Sequence, residues 1–141
     1  MRFPYLSFKI PTPCEAFPHQ KEILRPVIPI VLGYKERKVR YYALIDSGAD
    51  YCFFHKEIAE VLGIDWRKGK KLEFAGVTGR KTTAYFCHVD LYIGGWEYKL
   101  YCGFSEKLSP YGFGILGQCG FFDMFKIRFV LKREEIEITP Y

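Results

Sequence analysis

The residues best suited to chemistry in this chain are Asp46, Ser47 and Gly48, which follow the apolar run Ala43-Leu44-Ile45 and precede Ala49 and Asp50. An extended apolar segment that delivers one carboxylate into a turn of small residues makes poor packing. Burying such a group costs free energy unless it is hydrogen-bonded or put to use. Gly48 admits close backbone approach, and the Ser47 hydroxyl can bond to a neighbour. The chemistry on offer is that of a positioned carboxylate. The plain alternative is a surface turn, because Asp, Ser and Gly all form turns. Chance produces Asp-[Ser/Thr]-Gly roughly once in a couple of thousand positions, so the triplet needs its context.

That context is a chain of strands. Residues 22–32 and 37–45 alternate and are rich in Ile and Val, which predicts a hairpin around Gly33-Tyr34-Lys35. The second of these strands runs straight into Asp46. Residues 55–62 carry helical spacing, with Ile58, Val61 and Leu62 on one face and Gly63 as the stop. Residues 71–77 and 82–93 read as long strands joined by Thr78-Gly79-Arg80-Lys81. Gly94-Gly95 turns the chain into a return strand over 96–104. A short apolar strand over 113–116 ends at Gly117, a short helix is predicted over 119–124, and residues 125–131 with 135–139 close the chain as a hairpin. About nine strands, two short helices and no strand–helix–strand alternation predict a mostly β, closed or nearly closed sheet. Pro4, Pro11, Pro13 and Pro18 make the first residues an irregular arm or edge segment.

Composition narrows the function classes. The 141 residues fit one domain, 49% of them hydrophobic and 18% aromatic, so a short chain can still build a firm core. The net charge of +5 raises the question of nucleic acid, but the one dense basic run, residues 67–71, is broken by Gly69. It reads as a solvated face, and no nucleic-acid partner is expected. Cys14, Cys52, Cys87, Cys102 and Cys119 form no CxxC pair, and His19, His55 and His88 lack ligand spacing, so neither a metal nor a cofactor is expected. The cysteines read as reduced core residues. No apolar run is long enough for a signal peptide or membrane span, which sets the expectation of a cytoplasmic protein without a membrane partner. Ser47, Ser105 and Ser109 lack a G-x-S-x-G frame, and Gly76-x-x-Gly79 lacks the strand-to-helix setting of a phosphate loop.

With the elements in place, Ile45-Asp46-Ser47-Gly48-Ala49-Asp50 resembles the active-site loop of the retropepsins, the single-domain aspartic proteases of retroviruses and their cellular relatives. Gly114-Ile115-Leu116-Gly117, followed by Phe121-Phe122-Asp123-Met124-Phe125, is similar to the apolar-apolar-Gly motif and helix that pack against that loop. Residues 74–85, with Gly76, Thr78 and Gly79 at the tip, occupy the place of the flap hairpin. The similarity covers roughly residues 26–139, which suggests residues 1–21 as an N-terminal arm and 22–141 as a retropepsin-like domain. The implied fold is one closed, barrel-like half of an acid protease, with one or two short helices, active as a two-fold homodimer.

The resemblance implies an aspartic endopeptidase acting on a peptide or protein substrate, with Asp46 as acid/base and one carboxylate from each subunit. Ser47 would tie the two loops together across the dimer, and Gly48 would meet substrate backbone. Ala49 and Asp50 would line the cleft floor, with Gly76, Val77, Thr78 and Gly79 as a mobile lid and Ile115 and Leu116 as walls or support. One residue departs from the pattern. Gln118 stands where retroviral members commonly carry an Arg that pairs with the carboxylate at the place of Asp50. A non-catalytic peptide-binding or scaffold protein on the same fold is therefore the alternative. Residues 134–139 alternate charged and apolar side chains, and serve equally as a strand interleaved between subunits or as a strand of the chain's own barrel.

Overall fold

The computed structural model describes residues 1–75, 79–108 and 112–141. Among these, twelve strands dominate: β1 (Arg2–Pro4), β2 (Leu6–Lys9), β3 (Glu22–Arg25), β4 (Val27–Tyr34), β5 (Arg37–Ile45), β6 (Phe53–His55), β7 (Lys70–Ala75), β8 (Lys81–Ile93), β9 (Trp96–Ser105), β10 (Gly114–Leu116), β11 (Phe125–Val130) and β12 (Glu135–Pro140). One α-helix, α1 (Lys56–Val61), and two 3-10 turns complete the set. The mostly β expectation holds.

The main sheet runs β4-β5-β10-β6-β9-β8-β7, and an added pairing of β4 with β8 closes the ring of strands. The closure works because β8 is thirteen residues long. Its first half pairs with β7, as in Lys70↔Phe86, and its end pairs with β4, as in Leu32↔Leu91. Inside lie Ile28, Leu32, Phe54, Leu91, Leu100 and Phe104, all without solvent exposure. Alternation along β4 and β5 supplies this core, since successive side chains point to opposite faces.

The first hairpin forms between β4 and β5, its turn one residue later than expected, with Lys35 in the left-handed region at φ 53°. In α1, His55 caps the first turn by accepting the Glu57 N–H on Nδ1, and Gly63 ends the helix at φ 74°. Ile58 and Leu62 are buried as expected, but Val61 is 54% exposed and Ala59 takes its place inside.

One expectation is corrected, and of the two readings of the first residues the edge-segment one is realised. Residues 119–124 form turns and not a helix. Gly120 sits at φ 110°, outside the helical region, and its N–H donates to the Asp123 carboxylate at 3.0 Å. The aromatic packing expected there still forms, with Phe121 and Phe125 buried and their ring centroids 4.9 Å apart. Within the proline-rich first residues, β1 pairs with β12 and β2 pairs with β3. β12 lies between β1 and β11 of its own chain in a separate three-stranded sheet, with Ile136 and Ile138 fully buried, so residues 134–139 pair within the chain but not as a strand of the closed sheet.

Candidate active site

β5 and β10 run parallel, Ile45 opposite Leu116, and this pair positions the carboxylate. Where β5 ends, the Asp46 N–H donates to the Leu116 carbonyl at 3.0 Å, so the first residue of the turn is still held by the neighbouring strand. The chain then folds back: Ala49 N–H donates to the Asp46 carbonyl at 3.2 Å, and Gly48 N–H donates to Asp46 Oδ1 at 2.9 Å. A methyl group on Gly48 would press on that same oxygen at 3.2 Å. Glycine therefore leaves room for the oxygen that its own N–H holds. Asp46 is half-buried and anchored at the backbone.

The turn after β10 braces this loop. Gln118 donates its backbone N–H to Ala49 O at 2.9 Å and its side-chain amide to Ser47 O at 2.9 Å, while Cys119 N–H reaches Asp50 O at 2.8 Å. A side chain at Gly117 would overlap the carbonyl oxygens of Tyr51 and Ala49, which makes glycine a requirement of the close approach. Cys52 fills the space behind. Its Sγ accepts the Gly117 N–H at 3.3 Å and lies 3.6 Å from the Cys119 carbonyl. Burial pushes the Cys52 thiol up to about 12, so it serves here as a protonated, packed group.

The other expected site residues fall as follows. Ser47, Gly48 and Asp50 are exposed and Ala49 half-buried around Asp46. No ion pair joins Asp50 to another residue among those described. Ile115 packs beside Phe53 and Phe74, whereas Leu116 is fully buried and braces the loop from within. Gly79 is exposed beyond the end of β7, at φ 74°. Gly76, Val77 and Thr78 lie outside the described residues. In the β7–β8 hairpin, which the resemblance assigns as the lid, the Phe74 ring stacks on Phe53 at 4.6 Å. The sequence does not mark Cys52 and Tyr51 as site residues, since nothing in their types signals a brace behind a loop.

No curated protein is significantly similar in sequence to the chain. Solved structures that share its fold include two proteases. One is a retropepsin-like aspartic protease from Rickettsia conorii, with 21% identity, TM-score 0.56, and coverage of 80% of this chain and 89% of that one. The other is the EIAV protease complexed with the inhibitor HBY-793, with 20% identity, TM-score 0.51, and coverage of 67% and 82%. The fold is thus that of a retropepsin-like half. A family model described as aspartyl protease matches residues 32–118, a span that holds Asp46, the lid hairpin and the bracing turn at Gly117, and the chain belongs to that family.

Proposed function

We propose that the chain is an aspartic endopeptidase that hydrolyses peptide bonds at a site completed by a second, identical subunit. The carrying observation is the Asp46 carboxylate just past the end of β5, its Oδ1 accepting the Gly48 N–H and its own backbone N–H tied to Leu116 of the parallel strand β10. Two such carboxylates meeting on a two-fold axis cannot both ionise cheaply, so they share one proton and titrate as a pair. The ionised Asp46 takes a proton from a water molecule, which attacks the peptide carbonyl. The protonated partner bonds the carbonyl oxygen as it becomes tetrahedral, and the departing amine then receives a proton. Closure of the lid around the substrate would exclude bulk water.

A non-catalytic scaffold is favoured by the basic residues past the flap tip, Arg80 and Lys81, and by Gln118. The Gln118 hydrogen bond to Ser47 weakens that reading, because the residue still braces the loop without an ion pair. The five free thiols support a reducing, cytoplasmic setting.

The test is incubation of purified protein with a peptide mixture between acid and neutral pH, beside Asp46→Asn. Cleavage by the parent protein alone supports the proposal. Equal cleavage by both, or by neither, removes Asp46 from catalysis.

A further inference from the structure

A cavity of about 580 Å³ opens immediately beyond the Asp46 loop. Its near wall is Tyr51 and Cys119, the bridged pair that follows the loop and its brace. From there an aromatic floor leads outward: Tyr51 to Phe86 at 5.7 Å between ring centroids, Phe86 to Tyr101 at 5.4 Å, and Tyr101 to His88 at 4.7 Å. A second hollow of about 430 Å³ shares Phe86, Tyr101 and His88 and extends the groove. The rim is basic. Lys70 and Lys71 stand on the lid strand β7 and Lys99 on β9, against the single carboxylate of Asp123.

Two of these lysines already have partners, Lys71 with Glu73 at 3.5 Å and Lys99 with Asp90. Lys71 and Glu73 are both well exposed, so that pair holds its charges weakly, whereas Lys99 is tied to the largely buried Asp90. Lys70 has no ion-pair partner among the described residues. An elongated groove with an aromatic floor and a cationic rim, continuous with a carboxylate site, matches an extended polypeptide that alternates apolar and acidic side chains.

We infer that this groove holds a flanking segment of the substrate polypeptide, rich in acidic and apolar residues, outside the cleft at Asp46. The inference rests on the protease reading for its substrate, but its test does not require cleavage. In the Asp46→Asn protein, fluorescence anisotropy would follow a short labelled peptide alternating Glu and Leu, beside one alternating Lys and Leu. The acidic peptide binds more tightly. Lys70→Glu combined with Lys71→Glu weakens it by about fivefold per charge reversed and strengthens the lysine peptide. Tyr101→Ala weakens both peptides.

Equal binding of the two peptides, or a preference untouched by the lysine reversals, overturns the inference even if the parent protein proves an active protease. Should the parent protein cleave nothing while the charge preference follows Lys70, the groove stands and the protease reading falls. In an active enzyme the lysine reversals raise KM for acidic-flanked peptides and leave kcat unchanged.

Discussion

The side-chain amide of Gln118 donates to the backbone carbonyl of Ser47, linking the turn after β10 to the residue that follows Asp46. Gln118→Ala removes one neutral hydrogen bond, worth about 1 kcal/mol. Turnover of a cleavable peptide should fall roughly fivefold with the fold intact, as read by circular dichroism. Gln118→Glu should be worse, because a carboxylate cannot donate to that carbonyl.

Gly117 should tolerate no side chain. In Gly117→Ala the methyl meets backbone oxygens on two sides, Ala49 O at 2.7 Å among them, and neither is the end of a flexible group. Overpacking against fixed backbone costs about 3 kcal/mol or more, which for a chain of this size lowers Tm by roughly 10 °C. Differential scanning calorimetry of the purified variant measures it.

Alkaline stability should depend on Cys52. The thiol ionises at about 12 in the folded chain against an ordinary 9.0, because the charged form is penalised by burial. Below pH 9 it is protonated folded or unfolded, and nothing is lost. Between pH 9 and about 12 the unfolded chain releases a proton that the folded chain keeps. Stability then falls by about 1.4 kcal/mol per pH unit. Burial raises the Cys102 thiol in the same direction. Urea midpoints taken across this window should fall less steeply for Cys52→Ala, and an unchanged slope would mean that Cys52 keeps no buried proton.

The stacked rings of Phe53 and Phe74 couple the body to the lid strand. A double-mutant cycle with Phe53→Leu and Phe74→Leu should return a coupling of about 0.5–1.5 kcal/mol in denaturant unfolding. Additive losses would place the lid apart from the body in solution.

The carboxylate and its two supporting strands could be read in the sequence because both signals are local: an apolar run ending in Asp46, and a second ending in Gly117. What escaped was set by distant partners. β1 is a strand because Arg2 meets Glu137, a pairing that prolines in the first residues conceal. Helical spacing over 119–124 was outweighed by Gly120 at positive φ and by Asp123 bonding its backbone, a local competition that apolar periodicity does not register. Val61 belonged to the apparent stripe of α1, yet a helix of six residues needs only Ile58, Ala59 and the following Leu62 to cover its patch of core. Cys52 looked like any reduced core thiol until the loop closed over it.

The place of β12 between β1 and β11 bears on how two subunits would join. With a neighbour from its own chain on either side, that strand has no open ladder onto which another molecule could zip. A second molecule could extend that sheet only at its two edges, β1 and β11, and a dimer joined there and at the Asp46 turns would come apart on dilution. If Asp46 works as proposed, specific activity should then climb with protein concentration, and scarcity alone would leave the site incomplete.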